Sequence, residues 1–362
     1  DRSRGLGDVY KRQTLYLTEL NSDVKSVKGK PVKIWQGGFK NAHELGGGFG
    51  MEGSHMYRIN GKYYITCPAG GTGGWQICLR SDNIYGPYEH KLIMNDWSSY
   101  PKNGLHQGGM VQLKNGDWWF MIMQDRGPIG RVPCLVPVKW IDGWPMLGDE
   151  GKDLITYPKP ATGKKSKIKS PATTDEFNAS QLGLQWQWNH NPDNSRWSLK
   201  ERKGYMRLYA SQASTLKDAR NTLTQRVQGP SCEGSVEMEV TGLKDGNIAG
   251  FGIFEFPYAY VAIRQESGRR KIVMCNDGKD IETVEHFNGD KLWIRVRATD
   301  KEFKALFYYS LDGVNYKRIG NELQMGLGLP WTANRFALFN FNTTPQGNNG
   351  YADFNWFRFT NK

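Results

Sequence analysis

No run of about 18 or more apolar residues occurs in the 362-residue chain, which argues against a membrane-spanning helix. Long amphipathic helical patterns are also scarce. Cysteine is sparse and odd in number: Cys67, Cys78, Cys134, Cys232 and Cys275 form no C-x-x-C pair. A disulfide framework or zinc site is therefore not indicated, and the thiols read as small core residues, with a single bridge left open. The net charge of +12 raises anionic partners, yet no basic helix or nucleic-acid motif accompanies it. Five of the cations fall between Lys159 and Lys169, which reads as solvated linker, so nucleic acid is not an expected partner. There is no initiator methionine and no apolar core of a signal peptide, so the compartment is unreadable. Residues 1–13 match nothing that follows and resemble translated adapter sequence; the natural chain is expected to start at about Thr14.

What the sequence has in abundance is glycine and aromatic residues: 43 Gly, 13 Trp, 17 Tyr and 16 Phe. Short alternating runs punctuated by turn residues indicate β structure. Flat rings also suit stacking on sugars, although an all-β core is aromatic-rich for its own reasons.

The central stretch is Glu44-Leu-Gly-Gly-Gly-Phe-Gly-Met-Glu-Gly-Ser-His-Met-Tyr57, where one acid, Glu52, stands between glycines ahead of a strand. Glycine permits positive φ and close backbone approach. A hairpin follows, Met56-Tyr-Arg-Ile, Asn60-Gly61, Lys62-Tyr-Tyr-Ile-Thr-Cys67, since Asn-Gly is the preferred two-residue turn. The pattern recurs about 55 residues on at Asn115-Gly116 and partially at Asp142-Gly143. Repeats of roughly 40–50 residues made of short strands indicate propeller blades. Residues 14–157 hold two and a half to three such units, an incomplete ring. Residues 158–173 read as a linker. Residues 174–362 carry eight or more short strands, among them Ser235–Thr241, Lys291–Ala298 and Ala352–Phe359, and are expected to form a β-sandwich.

Several of these segments together resemble glycoside hydrolase family 43. They are Glu52-Gly-Ser-His-Met-Tyr-Arg-Ile-Asn-Gly-Lys-Tyr-Tyr, Gly71-Thr-Gly-Gly74, Ser81-Asp-Asn-Ile-Tyr-Gly-Pro-Tyr-Glu89, His106-Gln-Gly, Gly130-Arg131 and Trp140-Ile-Asp-Gly-Trp-Pro145. Asp175-Glu-Phe-Asn and the terminal Tyr351-Ala-Asp-Phe-Asn-Trp-Phe-Arg-Phe resemble the concanavalin A-like, jelly-roll sandwich of its β-xylosidase-type members. The resemblance implies an all-β chain: the last two to three blades of a five-bladed β-propeller, then that sandwich. It implies an inverting exo-glycosidase, a β-xylosidase or α-L-arabinofuranosidase acting on xylo- or arabino-oligosaccharides. Inversion uses a general acid and a general base about 6.5–9.5 Å apart.

Mapped onto this chain, the resemblance makes Glu52 the general acid. The base aspartate and the aspartate that tunes the acid have no matching segment, and Asp23 sits in what reads as a surface turn. The chain is thus expected to be a fragment with little activity of its own. His106 and Arg131 correspond to substrate-site residues, and His106, through water, to a possible calcium site. Calcium is a possible structural or active-site ion, and no other cofactor is required. Phe49 and Trp75, with Trp97, are candidate stacking walls for which a core role is equally open. His55 reads as structural, and Asn355 stands where similar chains often carry Asp. The competing expectation is a carbohydrate-binding protein without catalysis.

Overall fold

The computed structural model describes residues 14–36, 51–70, 73–96, 104–152, 156–163, 167, 170–326, 332–345 and 347–361. Phe49 and Trp97, and the stretch 1–13, lie outside them. The chain divides into two compact units, Asp1–Arg126 with Arg131–Ser166, and Gly127–Gly130 with Lys167–Lys362. No α-helix occurs among the described residues; one short 3-10 turn covers Gly127–Ile129.

In the first unit, β1 (Thr14–Leu20) and β2 (Val27–Gln36) form an antiparallel ribbon. Four strands follow in a simple meander: β3 (His55–Ile59), β4 (Lys62–Ala69), β5 (Trp75–Ser81) and β6 (Glu89–Met94). A second meander repeats the plan with β7 (Leu105–Gln112), β8 (Trp118–Asp125), β9 (Arg131–Ile141) and β10 (Trp144–Leu147). Up-and-down sheets of four antiparallel strands are the blades of a propeller.

One apolar core lies between the two sheets, joining Tyr64, Cys78 and Ile93 of the first to Phe120, Ile122, Val136 and Trp144 of the second. Burying a side chain such as Phe120 is worth about 1.5–3 kcal/mol. A smaller core on the other face of the first sheet gathers Met51, Cys67, Ala69, Trp75 and Ile77 with Leu15, Trp35 and Leu92. Polar pins reinforce the stack. The Tyr64 hydroxyl donates to the Gly143 carbonyl at 3.0 Å, and the Arg80 guanidinium lies 4.1 Å from the Trp144 ring centroid.

The turns account for the local order. Asn60 and Gly61 both have positive φ (49° and 82°), as a two-residue turn matching strand twist requires. Asp142-Gly143 repeats this at 51° and 72°. At Asn115-Gly116 only the glycine is left-handed, and Leu113 N donates to Asp117 O at 2.8 Å, so this is a three-residue loop. The three hairpins are not three blades. The first two open their sheets, whereas Asp142-Gly143 joins β9 to β10 and closes the second sheet.

The second unit is a sandwich of two mixed-length sheets. One runs in the order Gln187–Trp188, Leu223–Arg226, Arg335–Asn342, Asn247–Phe254, Ala259–Glu266, Arg269–Asn276, Lys279–Val284. The other centres on Ser231–Glu239 between Tyr351–Asn361 and Lys291–Thr299, with Lys304–Ser310 beyond. Phe251 and Phe336 from the first sheet meet Phe357 from the second at centroid distances of 5.9 and 5.8 Å. Every residue of Asn247–Phe254 is buried, because a second core of Leu216, Tyr258, Tyr260 and Phe339 covers its other face. No disulfide joins any of the five cysteines, and all but the half-buried Cys134 are buried.

Candidate active site

The site is built where the first strand of the second sheet, β7, packs against the first sheet, chiefly β4 and β5, and is reached by residues at and just ahead of β3. Tyr57 on β3 accepts a hydrogen bond from Met110 N on β7 at 2.7 Å. Gly53, just ahead of β3, rests on Gln107, just inside β7: a Cβ at Gly53 would lie 2.9 Å from Gln107 Nε2. These contacts occur in the same order along both strands, so Glu52 and His106 belong to the same end of the pair. Gly53 has φ +66°, a conformation costly for other residues. The glycine after the acid therefore answers both a dihedral and a packing demand.

A β-bulge between His106 and Gly108 shapes the β7 side. Gln107 takes φ 58°, and its backbone N–H donates to the buried Gln76 Oε1 at 2.7 Å. Its side-chain oxygen faces Arg131 Nη1 at 3.4 Å. Arg131 opens β9, and its Nε faces Asp125 Oδ1 at 3.4 Å. Asp125 closes β8. Its other oxygen accepts from Gly73 N at 3.2 Å and stands 3.5 Å from His106 Nε2. The His106 Nδ1 faces the Gly104 carbonyl at 3.4 Å. Close approach of two loops sets this last position, for a Cβ on Gly104 would fall 1.8 Å from the Gly74 carbonyl oxygen.

The electrostatics follow from burial. His106 is buried, which lowers its pKa below the usual histidine value. Asp125 and the Gly104 carbonyl oppose that shift, and Arg131 adds to it. The imidazole is thus neutral near pH 7. Asp125 is a buried carboxylate balanced by the Arg131 guanidinium, so its place is that of a positioning group for His106 and Arg131. What the arrangement offers chemically is a guanidinium and a neutral imidazole held by one shared aspartate, with the exposed Glu52 next in the chain to the glycine that packs on Gln107.

His106 and Arg131 meet through Asp125, Arg131 reaches Gln107, and Gly53, the residue after Glu52, packs on Gln107. The structure does not add Trp75 as an open wall. That ring is 8% exposed and packs over Gly70, where a Cβ would come within 2.3 Å of it, so Trp75 is a core residue as placed. His55 lies along β3 against Gly109, and Asp23 sits in the exposed β1–β2 turn, accepting from Lys25 N at 3.1 Å. Asn355 donates to Glu237 at 3.1 Å in the sandwich. Gln107 and Asp125 were not anticipated. A signal for Asp125 existed in the run Gln124-Asp-Arg-Gly-Pro-Ile-Gly-Arg131, an acid ending an apolar strand before a glycine turn. Calcium takes roughly six to eight oxygen ligands. Among the described residues no group of three or more His, Cys, Asp or Glu gathers, and the oxygens beside His106 are the Asp125 carboxylate and one carbonyl. These residues alone do not fit a calcium shell.

Four-stranded meanders stacked face to face, an acid ahead of one first strand, a His–Asp–Arg set on the next sheet, and a following sandwich define a propeller-type carbohydrate-active protein. The comparisons agree. The model of glycosyl hydrolases family 43 matches residues 4–145, reaching into the stretch read as foreign, and that of the beta xylosidase C-terminal concanavalin A-like domain matches 174–360. The chain belongs to glycosyl hydrolase family 43. A beta-xylosidase of Formosa agariphila is 32% identical over 86% of this chain and 60% of its own length. A non-reducing end alpha-L-arabinofuranosidase of Bacteroides ovatus is 28% identical over 86% of this chain and 63% of its own. The solved structure of a bifunctional GH43-CE protein of Bacteroides eggerthii has a TM-score of 0.83 and 38% identity, covering 96% of this chain and 45% of that one. The chain therefore spans less than two thirds of each of these longer proteins.

Proposed function

We propose that this chain is part of an inverting exo-glycosidase that releases xylose or arabinose from xylan- or arabinoxylan-derived oligosaccharides. Glu52 serves as general acid, with Arg131 and His106 as substrate contacts. The observation that supports this reading is the packing of Gly53, next to Glu52, on Gln107, whose side chain also meets Arg131 of the Arg131–Asp125–His106 set. Both relatives above bear names of enzymes acting on xylosides or arabinosides.

In such a reaction Glu52 delivers its proton to the leaving oxygen as the glycosidic bond breaks, while a second carboxylate takes a proton from the attacking water. Arg131 supplies donors to sugar hydroxyls, and the neutral His106 can donate or accept. Among the described residues no carboxylate is suited to the base role, since Asp125 is held by Arg131 and Gly73 and Asp23 lies in the outer ribbon turn. The 362-residue chain by itself is therefore expected to hydrolyse neither aryl β-xyloside nor aryl α-L-arabinofuranoside. Completed with the part of the family propeller it does not span, it should hydrolyse one of them. There Glu52→Gln should slow poor leaving groups by about 10²–10⁴-fold and good ones far less. Equal losses for both would remove Glu52 from the acid role. Binding of xylo-oligosaccharide without turnover in the completed protein would favour the non-catalytic alternative.

A further inference from the structure

The sandwich carries a cleft that the glycosidase reading does not use. Its volume is about 500 Å³, within the range of small-ligand sites. One wall is the hairpin between Ala259–Glu266 and Arg269–Asn276, whose tip, Ser267-Gly268, turns with both φ values positive (50° and 72°). The Asp245 carboxylate holds that tip by accepting from Gly268 N at 2.8 Å. The other wall is the connection after Lys279–Val284, where His286 takes φ 64° and Phe287 N donates to Arg270 O at 2.9 Å. Two segments far apart in sequence are thus locked at a set spacing.

The lining is polar and cationic: Gln265, Arg269, Arg270, His286 and Asn288, with the buried Phe287 ring as floor. Three of the neighbouring acids are engaged elsewhere, and Glu285, exposed beside His286, does not line the cleft. Asp245 caps the hairpin tip, Glu266 pairs with Lys271 at 3.0 Å, and Asp290 stands 3.8 Å from Arg270. Arg270 is also engaged, donating to Gln265 at 3.1 Å and to the Gly289 carbonyl at 3.2 Å. Among the described residues the side chains of Arg269, His286 and Asn288 have no hydrogen-bond or ion-pair partner. A smaller hollow of about 160 Å³ adjoins through His286, Phe287 and Asn288 and is lined by Ile272, Val284 and Leu311.

An anion with hydroxyl groups and an apolar edge matches this lining. We infer that the cleft binds a uronic acid residue of an oligosaccharide, with Arg269 and His286 on its carboxylate. Gln265 and Asn288 meet the ring hydroxyls, and the adjoining hollow takes an apolar ring edge. An arginine fork is shaped for a carboxylate, and the lining holds Arg269 and Arg270 with no acid. The choice of a sugar acid over other anions rests on the proposed function. Occupancy of the cleft does not depend on turnover at Glu52.

Calorimetric titration of the 362-residue chain tests this with four probes. They are a xylo-oligosaccharide bearing one glucuronic acid branch, the same compound with its carboxyl reduced, the unbranched xylo-oligosaccharide, and inorganic phosphate. The acidic compound should bind about tenfold more tightly than its reduced form, the value of one charged hydrogen-bonded pair. Arg269→Ala and His286→Asn should each erase most of that preference; asparagine is chosen because it tolerates the left-handed conformation. Both side chains are exposed, so the unfolding transition should not move. Equal binding of the acidic and reduced compounds, or no effect of either substitution, overturns the inference. Phosphate binding as tightly as the sugar acid overturns its sugar specificity. Hydrolysis assays on Glu52 variants are independent of all these outcomes.

Discussion

Replacing Gly53 by alanine separates two demands that the structure places on one residue. The first is conformational: at φ +66° an L side chain costs about 1–2 kcal/mol. The second is steric, because the new methyl would sit 2.9 Å from Gln107 Nε2 and 3.5 Å from its Cγ. Gln107 must then swing away and give up its 3.4 Å contact with Arg131, adding about 1 kcal/mol. Gly61 is the internal control, since it has φ +82° and nothing within 4 Å of its would-be Cβ, so Gly61→Ala carries the conformational cost alone. The expected destabilisation is about 2–3 kcal/mol for Gly53→Ala and about 1–2 kcal/mol for Gly61→Ala. Urea unfolding followed by tryptophan fluorescence, fitted to the transition of the first unit, measures both. Gln107→Gly removes the obstructing side chain, so the cycle of Gly53→Ala with Gln107→Gly should show coupling of about 1 kcal/mol. Equal costs at the two glycines and no coupling with Gln107 would refute the packing argument.

Three further outcomes can be measured. Asp353 is 2% exposed and takes hydrogen bonds of 2.8–3.1 Å from Arg207 and Arg202, so Asp353→Ala should cost the sandwich about 2 kcal/mol in lost charged hydrogen bonds, while Arg202 keeps Glu239 and Arg207 keeps Glu201; a loss under about 0.5 kcal/mol by urea titration would class the cluster with ordinary surface pairs. The lowered pKa of His106 means the unfolded chain binds its proton first on acidification: the stabilisation is whole above the unfolded value near 6.5 and is lost as pH falls through the folded one. His106→Gln should flatten that limb of stability against pH for the first unit, and an unchanged slope between pH 7 and 5 would show that the imidazole does not titrate as described. Burial raises the thiols of Cys67, Cys78, Cys232 (to about 11) and Cys275, so a thiol reagent on the native chain should modify Cys134 first; rapid labelling of Cys67, found by peptide mass mapping, would contradict the placement of the smaller core.

Much of the fold was legible because it is written locally. Alternation marked Lys291–Thr299 and Tyr351–Asn361 to within a residue or two, and Asn60-Gly61 marked its turn because both dihedrals are a property of those two residues. Lys279–Val284 and Leu223–Arg226 were not read, being short and mixed in character, and they owe their strand form to a longer neighbour. Asp142-Gly143 read as a partial echo of the other two hairpins because a hairpin carries no label for its sheet. Pairing of β9 with β8 decided that.

By itself the sequence determined an all-β chain, two regions of differing character, and the position of Glu52, whose glycine frame and ordered neighbours are readable in one dimension. Tertiary structure alone decided what surrounds that acid. Asp125 reaches His106 and Arg131 because β7, β8 and β9 lie in register, and Gln107 meets Gly53 because β7 packs against the first sheet. It also moved Trp75 from a possible sugar wall into the core, where Gly70 leaves room for the ring. Backbone dihedrals and alternation act between neighbours in the chain, whereas charge pairing and ring burial act across strands that only folding brings within reach.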